Sequence, residues 1–226
     1  MGVNTNVVNV DGSSSSKPST NKLLYQQWNL AAYILNVAVT YIVGLGFLDL
    51  PSNGAPSLKY QTLVTPVGWA FAIWGIIFTL QAIWIVIPLF ASQQRHTAWI
   101  TAVGYHYVYV CIAQAGWTLS FSNELIALSC ICMLFILFFL VQAVRKLLPL
   151  VEHYTLTQYT LRVAPFTIHM AWILAATFVN LNVFLVEQKV NSVVQFYAAV
   201  ASLVLLFGTA LLFLWRRMGT DTVVPA

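Results

Sequence analysis

The sequence predicts an all-α membrane protein, a bundle of six transmembrane helices behind a disordered polar N-terminus. Three observations carry that expectation. Of 226 residues, 60% are hydrophobic and only 7% are charged, against about 25% charged in an ordinary soluble domain. Four stretches hold no charge at all: Lys59 to Arg95, Arg95 to Glu124, Glu124 to Arg145 and Lys189 to Arg216. A hydrocarbon core of about 30 Å takes roughly 20 residues of helix, and each stretch supplies them. None alternates with period two, so the strands of a closed barrel are excluded.

Residues 1–22 are polar, with a serine run at Ser13–Ser16 followed by Lys17-Pro-Ser-Thr. Such a composition cannot bury a core, so a disordered tail is expected, and it has no apolar region of a secretory signal. The six spans then read as Trp28–Leu48, Val67–Phe90, Ala98–Phe121, Leu125–Val144, Val163–Val186 and Val190–Trp215. Pro66 and Pro165 fall where a first helical turn tolerates a missing N–H, and Pro88 stands where it would kink the second span. Only Ser122-Asn123-Glu124 separates the third and fourth spans, which predicts a tight antiparallel hairpin. Cys111, Cys130 and Cys132 all lie in apolar stretches and read as small buried hydrophobes.

Six crossings put both termini on one side, together with the loops around Arg95 and residues 147–162. That side collects Lys17, Lys22, Arg95, Arg145, Lys146, Arg162, Arg216 and Arg217, whereas only Lys59 and Lys189 fall opposite. An excess of eight to two predicts that both termini are cytoplasmic or equivalent. The same dispersal excludes a nucleic-acid partner, which needs basic residues clustered on one face. The lipid bilayer is the expected environment.

No Asp, Glu, Lys or Arg falls in the middle of a span, which argues against ion-coupled pumps. The intramembrane polar residues instead form stripes. Trp74, Phe78 and Gln81 share a face of the second span, as His106, Val110, Gln114 and Trp117 do on the third. On the fifth, Pro165, His169, Trp172, Ala176 and Asn180 align, with small Ala176 leaving room beside Trp172. Such stripes are bundle contacts in many membrane proteins, yet aromatic walls with a few polar groups are also what a flat apolar ligand needs. His106 and His169 lie at similar depths, roughly 12 and 9 Å from the cytoplasmic end, so both a bis-histidine haem site and two neutral, hydrogen-bonded histidines fit the pattern. Leu156–Arg162 matches a loose cholesterol pattern and reads as an interfacial loop.

The segment from Thr65 through Trp74 to Phe78 resembles the signature of the TspO/MBR family, the tryptophan-rich sensory or translocator proteins. Pro165 through Trp172 to Asn180 is similar to that family's fifth helix, and Gln114-Ala-Gly-Trp117 to its third-helix Asn-x-x-Trp, with Gln114 in place of Asn. The resemblance implies a five-helix unit, here 23–188, often dimeric and capped by the loop between the first two helices, Asp49–Thr65. Val190–Trp215 would be an additional sixth helix, within 189–217, before a short tail at 218–226. It further implies binding of porphyrins, haem-like tetrapyrroles or other flat lipophiles by Trp74, Phe78, Gln114, Trp117, Trp172, Ala176 and Asn180. The expected role is a sensor, carrier or scavenger. No catalytic residue, metal or resident cofactor is assigned, and porphyrin or haem enters as a ligand. Two other readings stand beside it: a haem-bearing electron carrier using His106 and His169, and a structural or assembly subunit whose sixth helix docks a partner.

Overall fold

Nine helices follow one another through the described residues of the computed structural model, which are 20–46, 52–90, 97–150 and 155–220. They are α1 (Thr20–Ile42), α2 (Gly54–Lys59), α3 (Ile73–Phe90), α4 (Thr97–Val103), α5 (His106–Ser122), α6 (Ile126–Leu147), α7 (Leu156–Arg162), α8 (Ala164–Glu187) and α9 (Ser192–Thr220). No strand occurs among the described residues. The expected N-terminal tail falls largely outside them, as do Asp49, Arg95 and the last six residues.

Among the described residues, four helical stretches are long and apolar enough to cross a bilayer: Gly68–Leu89, Ile126–Leu150, Ala164–Glu187 and Ser192–Phe213. The chain is therefore an all-helical membrane protein, with four crossings supported by length and composition where six were expected. Two physical features account for the difference. The third expected span, Ala98–Phe121, is broken at Gly104, whose φ of +52° is left-handed; a glycine adopts this without steric cost, and the helix restarts at His106. Helix α1 begins at Thr20 rather than Trp28, and its Lys22, Gln26, Gln27, Asn29 and Asn36 dilute its hydropathy.

Helix α5 packs along α6, α6 along α8, and α1 against α5. The core between them is built from fully buried side chains such as Tyr107, Ile136, Leu140, Phe166 and Ile173. Helix α9 touches the bundle through α8, where Asn182 Nδ2 donates to Ser202 Oγ at 2.9 Å. Its remaining sides carry exposed Phe196, Leu203, Val204, Phe207 and Leu212, as a lipid-facing helix requires.

Local chemistry sets the ends. Asn123 donates its side-chain N–H to the Leu119 carbonyl at 2.8 Å, and Leu125 N donates to Ser120 O, closing the α5–α6 hairpin that the three-residue connection predicts. Glu124 at its tip takes φ +59°. Pro165 stands in the first turn of α8, as expected. The Leu156–Arg162 segment is helix α7 and not a loop, because Thr155 and Gln158 form a capping box that starts it. Pro66 precedes a 3₁₀ turn, Gly68–Ala72, that leads into α3.

Candidate functional site

A cavity of about 920 Å³ opens between α1, α2, α3, α5 and α8. Its aromatic walls follow from helical spacing. Trp74 and Phe78 are one turn apart on α3 and stack with ring centroids 5.6 Å apart. Trp74 also stacks on Trp117 of α5 at 6.4 Å and meets Trp172 of α8 edge-on at 6.3 Å. Trp74 is thus the ring at which three helices meet. Trp117 continues into a stack with Phe121 at 5.4 Å, while Phe71 meets Trp172 edge-on at 6.1 Å.

Asn180 is buried and fully engaged. Its Oδ1 accepts from Trp117 Nε1 at 3.2 Å, and its Nδ2 donates to Ser129 Oγ at 2.8 Å and lies 3.0 Å from Cys130 Sγ. It holds an aromatic wall in place and leaves no N–H over for a ligand. Trp172 differs, because its buried Nε1–H has no partner. Ala175 and Ala176 line the chamber beside it.

Of the seven residues expected at a ligand site, Trp74, Phe78, Trp117, Trp172, Ala176 and Asn180 line this cavity. Gln114 does not. It lies three residues before Trp117, about 4.5 Å deeper along α5, fully buried, with neither amide atom partnered. Gln81 and His169 are likewise three residues from wall residues Phe78 and Trp172 and are both fully buried. There Tyr107 Oη donates to Gln81 Oε1 at 3.0 Å, and Gln81 Nε2 donates to His169 Nδ1 at 2.9 Å. Below this polar layer Trp84, Tyr107 and Phe166 close the bundle, with Trp84 and Phe166 at 4.9 Å. The cavity therefore reaches only the half of the bundle nearer α2.

The two histidines occupy different surroundings. His169 lies between Gln81 and the Trp74 ring, 5.7 Å from the latter. His106 Nε2 accepts from Lys146 Nζ at 2.8 Å, and its ring lies by Phe139. His106 Nε2 is thus engaged by Lys146, while its Nδ1 has no partner, and His169 keeps an unpartnered Nε2.

The cavity lining from Asn53 to Thr65 falls within the loop expected to cap the site, whereas sequence reasoning missed Phe71, Phe121 and Met133. Phe121 was findable, being four residues beyond Trp117 on the same stripe. Met133 carried no local signal, since only the folding of α6 against the chamber brings it in.

An all-helical bundle with bilayer-length helices around an aromatic chamber defines an integral membrane protein. The chain belongs to the TSPO-like protein family, whose model matches residues 26–226 and so runs through α9. At family level these are membrane proteins that bind tetrapyrroles or other lipophiles. No curated protein and no solved structure matches the chain.

Proposed function

We propose that this protein binds a flat lipophile of tetrapyrrole type in the cavity and acts as a sensor, carrier or scavenger within the membrane. One observation carries the reading: six residues from three helices, singled out by spacing and family resemblance, converge on a single chamber of about 920 Å³. That volume lies at the upper end of the roughly 300–1,000 Å³ typical of ligand pockets. Trp74 and Trp172 meet at nearly a right angle, 84°, so a planar ring lying on one meets the edge of the other, an arrangement aromatic quadrupoles favour. In the topology we favour, α1 and the broken α4–α5 pair are further crossings, for six in all. Both termini then lie on the cytoplasmic-equivalent side, and α9 follows a five-crossing unit.

Titration of the purified protein with protoporphyrin IX tests the reading. Intrinsic Trp fluorescence should quench saturably at low stoichiometry. Trp172→Ala should weaken affinity about tenfold or more, because lost stacking and burial together exceed the 1.4 kcal/mol that a factor of ten represents. Trp215, which is 73% exposed on α9, is the control, and Trp215→Ala should change nothing. Equal effects of the two substitutions, or quenching that never saturates, would mean partitioning into detergent and would end the proposal.

A further inference from the structure

The chamber is chemically two-sided. Its inner part is aromatic, whereas its mouth is ringed by neutral polar side chains: Thr40 on α1, Asn53 at the start of α2, Ser57 on α2, and Gln61, Thr62 and Thr65 in the loop after it. Among the described residues lining it there is no Asp, Glu, Lys, Arg or His. Lys59, beside the rim residue Leu58, is turned elsewhere. Its ammonium donates to Glu124 Oε2 and lies 5.1 Å from the centre of the Tyr60 ring.

An ionised carboxylate drawn into such a mouth exchanges water for neutral donors, with no cation to compensate the lost solvation. Asn53 sharpens the point, because its buried Oδ1 has no partner. Neither a carboxylate nor an ester has a proton to give that oxygen, but only the carboxylate brings a full negative charge that repels it.

We infer that the cavity selects flat ligands whose polar end is uncharged (an ester, amide, alcohol or carbonyl) over the same ring system bearing ionised carboxylates. The inference rests on the reading of this cavity as a ligand site and narrows it to neutral amphiphiles. Trp74 and Trp172 would set affinity for the ring, and the rim would set the charge of what the ring carries.

A matched pair of probes tests it. Protoporphyrin IX and its dimethyl ester are titrated at pH 8 into the wild type, Trp172→Ala and Gln61→Lys, and site binding is taken as the saturable quenching lost in Trp172→Ala. The ester should bind about tenfold more tightly than the free acid, the scale of leaving a partly desolvated carboxylate unpaired. Gln61→Lys places a cation at the exposed rim and should raise affinity for the free acid severalfold while leaving the ester unchanged. Equal or tighter binding of the free acid by the wild type overturns the selectivity and leaves the tetrapyrrole site standing. A Gln61→Lys protein with no gain for the acid also counts against it. Saturation by neither ring overturns the site itself and this inference with it.

Discussion

The Trp117 indole N–H donates to the Asn180 side-chain oxygen 3.2 Å away, tying α5 to α8 at the wall of the cavity. Asn180 passes the constraint on, since its own N–H groups reach Ser129 and Cys130 on α6. One amide thereby fixes three helices and the plane of one tryptophan. Replacing it with leucine should destabilise the protein by about 1–2 kcal/mol, the scale of buried hydrogen bonds lost within a membrane bundle. Thermal unfolding in detergent measures that loss, and porphyrin titration should show a severalfold weaker site. An unchanged midpoint and affinity would show that packing alone holds Trp117.

Ala176 has the opposite role, since it lines the chamber by leaving space beside Trp172. Ala176→Leu should fill that space, weaken protoporphyrin binding about tenfold and leave the unfolding midpoint within a few degrees, because the added side chain enters an existing void and not a packed core. A midpoint that collapses together with binding would mean the position is packed after all.

The ion pair between Lys59 and Glu124 fastens α2, one wall of the mouth, to the turn joining α5 and α6. Tyr60 Oη donates to the same carboxylate oxygen at 2.8 Å. The Lys59 ammonium, and then the Tyr60 hydroxyl, hold the Glu124 carboxyl below the ordinary glutamate range, while the carboxylate raises Lys59 above the ordinary lysine range. The signs follow from linkage. Glu124's contribution is present above the ordinary glutamate pKa and is lost as pH falls through its lowered value. Lys59's contribution is present below the ordinary lysine pKa and is lost as pH rises through its raised value. Both partners are substantially exposed, 55% and 40%, so salt should screen the pair. Glu124→Gln should speed ligand release severalfold at neutral pH. Stopped-flow release rates should rise with salt in the wild type but not in the variant, and a salt effect of equal size in both would remove the pair from the mouth's mechanics.

The proposed topology is open to direct measurement. Single cysteines at Ser13 and Gly219, in a background without Cys111, Cys130 and Cys132, should react with a membrane-impermeant maleimide from the same side. Labelling from opposite sides would mean an odd number of crossings, and α1 would be the first helix to reconsider.

Charge scarcity and uninterrupted apolar runs were enough to read a helical membrane protein from the sequence, because hydrocarbon accepts only helices or closed barrels and period-two patterning is absent. The aromatic stripes were legible for the same kind of reason. Helical spacing alone puts Trp74 with Phe78, and Trp172 with Ala176, on common faces. Breaks in the pattern were harder to see. Gly104 sits in an apolar run with nothing local to mark it as a left-handed residue, and the restart of the helix at His106 depends on its setting, where Tyr105 packs edge-on against Tyr25 of α1 at 4.7 Å.

Sequence by itself determined the solvent, the helical class and which side chains share a face, since these depend on composition and on the 3.6-residue period. Tertiary structure decided how deep the cavity runs. Gln114 lies on the same stripe as Trp117, yet it falls a turn below the chamber, where the Gln81–His169 hydrogen bond, with the Trp84–Phe166 contact beneath it, fills the bundle. Periodicity specifies angle around a helix axis, whereas the height at which neighbouring helices part or close depends on side chains from all of them. For that reason the helical form of α2, the engagement of Lys59 by Glu124 and the saturation of Asn180 became visible only once the helices were packed.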